Sequence, residues 1–228
     1  QGPQPNAPAG LVQLASVPSP GEVVLAPPGL VLDPLNVSSF STLGRIDLQS
    51  SAIDVSGSAT VPVGGAILIR GGQFVMENSL LQSITAVQDG GPISIAAGSV
   101  QMKGGQIQTA SLGPAKVGDI QINSSSLSVT DGALVDSLLV PNSFIAGQPR
   151  GGTIGITATD SVLVTGQRLG TTSFLPSIPG LPTLTNVVSG FYSENFSASK
   201  GSNIVIQTPS LTFQPGVIVS HTFSTGTA

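Results

Sequence analysis

A chain of 228 residues is long enough for one elongated domain or two small ones. Only 8% of it is charged, and its mean hydropathy is positive, which excludes a disordered polyelectrolyte, since disorder needs low hydrophobicity and high charge. A net charge of −4 lays down no basic footprint for nucleic acid, the absence of Cys excludes a disulfide framework or thiolate metal site, and Pro27, Pro28 and Pro34 break the longest apolar run before it could span a membrane.

In chain order, residues 1–40 read as a Pro-rich lead-in and an irregular first coil or cap. Within them, 11–14 and 22–25 are strand-like and 26–40 form a connecting loop. From residue 41 a two-tooth apolar pattern recurs, each tooth an alternating apolar pair. Ile46 and Leu48 are followed by Ile53 and Val55; Ile67 and Ile69 by Phe74 and Met76; Ile93 and Ile95 by Val100 and Met102. Ile120 and Ile122 precede Leu127 and Val129; Ile154 and Ile156 precede Val162 and Val164; Ile204 and Ile206 precede Leu211 and Phe213. The offset between teeth is seven residues in five units and eight in the unit of Ile154. A third apolar position follows in several units, at Leu81, Ile107, Leu134 and Ile218.

Alternation at period two makes each tooth a half-buried strand. Such short strands cannot bury an apolar face alone, but units stacked about 4.8 Å apart bury a continuous core. Hairpin turn signals between consecutive teeth are missing, which argues against an antiparallel sandwich. The expected fold is therefore all-β, a right-handed parallel β-helix of about six regular coils, the hand following the usual bias of parallel crossovers. Unit starts lie 21, 26, 27, 34 and 50 residues apart while the tooth offset holds, so the variable length is expected in one loop position after the third strand. Loop insertions are expected near 137–150 and 167–186. The second carries Phe174, Leu175 and Ile178 and is expected to cover the outward residues Leu163 and Val205.

The segments Leu14-Ala15-Ser16-Val17, Leu43-Gly44-Arg45-Ile46, Ile53-Asp54-Val55-Ser56-Gly57 and Ile69-Arg70-Gly71-Gly72-Gln73-Phe74-Val75-Met76 resemble filamentous-haemagglutinin-like exoproteins of the two-partner secretion type. The resemblance spans about residues 9–228 and is most specific in the last of these motifs. It implies the β-helical stretch downstream of a secretion domain. It also implies export to the bacterial surface or medium, adhesion or surface structure, and passage through an outer-membrane transporter engaged by a region outside this sequence. The Asn-Pro-Asn motif of the family's secretion domain does not occur, and the chain reads as a piece of something longer.

Candidate sites are sparse. Polysaccharide lyases and hydrolases on this fold need carboxylates stacked on one outer face. The outward positions of the first tooth are expected to be Asp47, Leu68, Ser94, Gln121, Gly155 and Val205, and those of the second Asp54, Val75, Gln101, Ser128, Leu163 and Thr212. Each column holds one acid. The remaining acids, including Asp89, Asp131, Asp136 and Glu194, are expected in turns or at strand edges. Asp89-Gly90 and Asp131-Gly132 read as turns in which Asp bonds backbone rather than calcium. His221, the only His, leaves no triad or His-rich metal site. Arg70-Gly71-Gly72 and Arg150-Gly151-Gly152 read as corners rather than RNA-binding boxes, and the sequons at Asn36, Asn123 and Asn195 as coincidental. The expectation is a non-enzymatic surface solenoid without catalytic residue, cofactor or metal. Its partners would be a second copy, joined head to tail through the solenoid ends and forming fibres, and a surface glycan or host-surface ligand. A glycan-binding module, or a glycan lyase or hydrolase, is the alternative.

Overall fold

The structure is a computed structural model that describes residues 7–24, 35–58, 61–140, 148–173 and 183–222, with backbone alone at 170–173 and 183–184. The described residues form strands and no helix. In chain order these are β1 (Leu11–Ala15), β2 (Arg45–Gln49), β3 (Ala52–Asp54), β4 (Ala66–Glu77), β5 (Leu80–Thr85), β6 (Ile93–Lys103), β7 (Gln106–Ser111) and β8 (Ile120–Thr130). There follow β9 (Leu134–Leu139), β10 (Thr153–Val164), β11 (Gln167–Ser173), β12 (Thr183–Val188), β13 (Gly190–Asn195), β14 (Asn203–Gln207), β15 (Leu211–Phe213) and β16 (Val217–Thr222).

Two open parallel sheets account for all but one pairing. The first runs β1-β4-β6-β8-β10-β14, with β2 alongside β4 and β15 alongside β10. The second runs β3-β5-β7-β9-β13-β16. The chain alternates between them, so every parallel neighbour belongs to the next passage of the chain, an arrangement consistent with a β-solenoid. Among the described strands only β11 and β12 pair antiparallel, and an isolated antiparallel bridge joins Val24 to Asn36.

The register explains the teeth. Ile67, Ile93, Ile120, Ile154 and Ile204 stack in one column, and Ile69, Ile95, Ile122, Ile156 and Ile206 in the next. Phe74, Val100, Leu127, Val162 and Leu211 make a third, and Met76, Met102, Val129, Val164 and Phe213 a fourth. The interior members of these columns are almost wholly sealed from solvent, each burial contributing about 1.5–3 kcal/mol. The two teeth run as one unbroken strand in β4, β6, β8 and β10. Glycine lets the backbones approach between teeth, where a Cβ at Gly98 would sit 2.6 Å from the Gly72 carbonyl oxygen. The eight-residue offset is absorbed by a register shift between Ala158 and Ser161, after which Val162 rejoins Leu127.

Four sequence expectations need correction. First, the ladder begins earlier than residue 41. Val12 and Leu14 pair with Ile67 and Ile69, whereas Ile46 and Leu48 pair with Phe74 and Met76, and Ile53 pairs with Leu81. The first passage is thus split by a long segment between its first and second teeth, and what read as a first tooth is a second. Second, length variation is not confined to one loop position. It falls between teeth at 16–44, between the second and third strands at β11–β12, and after β9, where residues 141–147 lie outside the described set. Third, Val135 and not Leu134 continues the inward column of the second sheet, as Ile53-Leu81-Ile107-Val135-Phe191-Ile218.

Fourth, Leu163 and Val205, expected to be covered by the 167–186 insertion, stay 38% and 45% exposed. The described residues of the insertion belong to the β11–β12 hairpin, which follows the second tooth, and Val187 of β12, just past the insertion, meets Leu134 and Tyr192. Phe174, Leu175 and Ile178 lie outside the described residues. The first sheet is instead covered near its start, where Leu35, with Val23 and Val37 beside it, seals the outward Leu68.

Candidate functional site

The second sheet is buried on both faces along β9 and β13. On its inner face the apolar column is followed by a hydroxyl column, Ser83-Thr109-Ser137-Ser193. Ser83 Oγ donates to the Gly65 carbonyl at 2.8 Å and Ser193 Oγ to that of Ser202 at 3.0 Å, satisfying backbone where the chain crosses back to the first sheet.

The outer face of this sheet carries an acidic arrangement that sequence reasoning missed. Asp54, Gln82, Gln108, Asp136 and Tyr192 align by register. Gln82 Nε2 donates to Gln108 Oε1 at 2.9 Å, and Gln108 Nε2 donates to Asp136 Oδ2 at 2.8 Å. Gln106 Nε2 adds a further donor, 3.2 Å from the same oxygen. Glu194 follows two residues after Tyr192 on β13. Asp136 is 0% and Glu194 2% exposed, so both acids lie within strands, not in turns or at strand edges as expected.

Burial raises the Asp136 carboxyl to about 7 against the pull of Gln108 and Gln106, and raises Glu194 to about 7 with repulsion from Asp136 adding to it. Tyr192 is pushed up to about 12 by the same burial, then by the charges of Glu194 and Asp136, and its hydroxyl donates to the Val188 carbonyl at 2.7 Å. Asp136 Oδ1 and Glu194 Oε2 have no hydrogen-bond partner. His221 Nδ1 on the last strand lies 3.6 Å from Glu194 Oε2. Perturbed acids cluster at active sites, but these two are almost wholly shielded from solvent in the described fold. The pair acts as an internal polar layer.

The acids singled out in the sequence separate. Asp47 lies on the first sheet and accepts hydrogen bonds from Arg45 Nε and Nη2. Asp54 lies on the second sheet and accepts the Ser56 N–H at 2.8 Å. Asp89 accepts the Lys116 N–H and the Arg150 guanidinium, at 2.8 and 2.7 Å. Asp131 and Gly132 form a turn with both residues at positive φ. Among the described residues no group of three or more His, Cys, Asp or Glu could hold a metal. Asn195 is wholly buried, its side chain holding Ser197, so that sequon cannot carry a glycan in the folded chain.

The grooves of the described surface include the following three. One of about 280 Å³ runs along the corner between the sheets, past Ser51, Asn78, Ser79, Gln106 and Arg168. A second, of about 300 Å³, is lined by Pro62, Ile84 and Leu112. A third, of about 260 Å³, is lined by Arg150, Lys200 and Asn203. No carboxylate lines any of them. No family model, no curated protein and no solved structure matches this chain.

Proposed function

We propose that this chain is a right-handed parallel β-helix of about six coils from an exported bacterial surface protein, acting as a structural and adhesive solenoid and not as an enzyme. The observation that carries the reading is the in-register stacking of apolar columns through successive passages of the chain, beside three described grooves that no acid lines. A glycan lyase or hydrolase on this kind of scaffold needs a proton-transferring group within reach of bound sugar; of the described acids, Asp136 and Glu194 are shielded from solvent, and Asp89 and Asp119 are held by Arg150 and Lys116. The right hand follows from the strong bias of parallel crossovers. The similarity to filamentous-haemagglutinin-like exoproteins rests on the sequence motifs around Leu43-Gly44-Arg45-Ile46 and Ile69 to Met76.

Exposed apolar residues on the outermost described strands, Leu211 at 45% on β15 and Ile218 at 48% on β16, support head-to-tail association with a second copy. Electron microscopy of the purified chain is expected to show fibres one subunit wide, and protease treatment of intact producing cells to remove the protein. Globular monomers at high concentration would overturn fibre formation, retention inside protease-treated cells would overturn surface exposure, and turnover of a polysaccharide would overturn the non-enzymatic assignment. A glycan-binding role is compatible with the same scaffold and is favoured by the polar corner groove.

A further inference from the structure

The Lys and Arg side chains, seven in the whole sequence, divide into two kinds. Arg45, Lys103, Lys116 and Arg150 pair with Asp47, Glu77, Asp119 and Asp89. Arg70 is half-buried and donates to the Ile69 carbonyl. The side chains of Arg168 and Lys200 make no hydrogen bond or ion pair with any described residue, and each lines a groove.

The Arg168 groove is the better built. Arg168 arrives on β11, the first arm of the antiparallel β11–β12 pair, and lies across Gly132. A Cβ at Gly132 would sit 2.6 Å from that of Arg168, at a backbone φ of +75° that L side chains rarely adopt. Along the floor, successive passages of the chain present Ser51, Asn78 and Gln106. Asn78 sits at φ +46°, a left-handed conformation that Asn tolerates, and its side chain has no described hydrogen-bond partner. These residues come from successive passages, whose strands lie about 4.8 Å apart, and Gln106, opposite Leu80, stands two positions beyond Asn78, so the polar groups run obliquely along the corner, where an extended chain of sugars meets them in turn.

We propose that this groove binds a carboxylated glycan, an oligosaccharide of uronic acid residues, with Arg168 gripping one carboxylate and Asn78 and Gln106 meeting ring hydroxyls. A guanidinium presents two parallel N–H donors that match a carboxylate. The groove holds a single cation and no aromatic ring, so it offers neither the charge density nor the stacking platform of a nucleic-acid site. The assignment deepens the adhesive side of the proposed function and does not depend on export or fibre formation.

The test is calorimetric titration of the whole chain with tetragalacturonate, with maltotetraose as the neutral probe. Tetragalacturonate is expected to bind about tenfold or more tightly than maltotetraose, and Arg168→Ala to weaken it by about tenfold or more, in line with loss of a charge-assisted hydrogen bond. Lys200→Ala is expected to leave it within roughly twofold, because Lys200 lines a different groove. Arg168→Lys, which keeps the charge and loses the fork, and Asn78→Asp, which keeps the turn and adds repulsion, are both expected to weaken binding, and they carry the test should Arg168→Ala fail to fold. No binding by the native chain, equal affinity for maltotetraose, or equal losses in Arg168→Ala and Lys200→Ala each overturns the proposal. Fibre formation and surface exposure in Arg168→Ala should be unchanged, so failure here is distinguishable from failure of the structural reading.

Discussion

At the scale of single residues, the buried carboxyls set how the fold responds to pH. Asp136 rises from 3.8 to about 7 on folding, and Glu194 from 4.5 to about 7. The folded chain therefore keeps protons that the unfolded chain releases near pH 4, so acid favours folding. The stabilisation is fully present below the unfolded values and is lost as pH rises through 7. The urea midpoint of the native chain is expected to fall between pH 5 and pH 8, opposite to the usual effect of salt-bridged acids. Asp136→Asn keeps an oxygen to accept from Gln108 and carries no charge, so it should remove much of that slope. An unchanged slope in Asp136→Asn combined with Glu194→Gln would show that these acids are not what the fold senses.

Phe191 is the other residue on which much rests. It is fully buried and bridges Val135 and Ile218 in the inward column of the second sheet. Phe191→Ala is expected to cost about 3–5 kcal/mol, read as a drop in the urea midpoint without a change in slope. A comparable loss from Leu163→Ala is not expected, because Leu163 remains 38% exposed on the outer wall.

At the scale of elements, the sequence was most legible where apolar residues alternate without competition. The Ile pairs at 67, 93, 120, 154 and 204 stand in the columns their spacing predicts, and the one-residue lag before Val162 is a local register shift. Legibility failed where two apolar residues stand side by side. Leu134 and Val135 are both buried, and choosing Leu134 as the inward residue turns the strand over, because side chains alternate faces. With Val135 inward, Asp136 falls beside Gln108 and the acidic layer becomes readable. The first passage was misphased for another reason. Its first tooth, Val12 and Leu14, is separated from its second by residues 16–44, and spacing alone cannot recognise a unit with an insertion inside it. The Arg168 groove was hidden for the same reason, since its cation comes from a hairpin inserted between the second and third strands. A chain lacking 167–188, closed by a short Gly-Ser link, is expected to keep the parallel ladder by circular dichroism while losing tetragalacturonate binding, and to expose Leu134 and Tyr192.

At the scale of the whole molecule, the two sheets share a polarity of construction. Each is covered differently: the first is open over much of its outer wall, with Leu163 and Val205 exposed, whereas the second is buried on both faces along β9 and β13. The open wall and the last strands are thus the surfaces through which a solenoid of this kind would meet a neighbour. Replacing Ile218, 48% exposed on β16, with Lys places charge on that edge. It is expected to suppress fibre formation and, because Ile218 continues the inward column beside Phe191, to lower the urea midpoint by less than Phe191→Ala does, measured by light scattering and denaturation in parallel.

The alternation of the chain between two parallel ladders also has a mechanical consequence. Tension between the first and last strands loads hydrogen bonds that all point from one passage of the chain to the next, so the rungs break in succession. Stretching in an optical trap should yield a staircase of small ruptures, with released lengths of 26, 27, 34 and 50 residues given by the register from Ile67 through Ile93, Ile120 and Ile154 to Ile204. A molecule that unravels in steps dissipates a sudden pull in portions, as a shock absorber does, and it keeps the remaining rungs intact to wind back when the load is released.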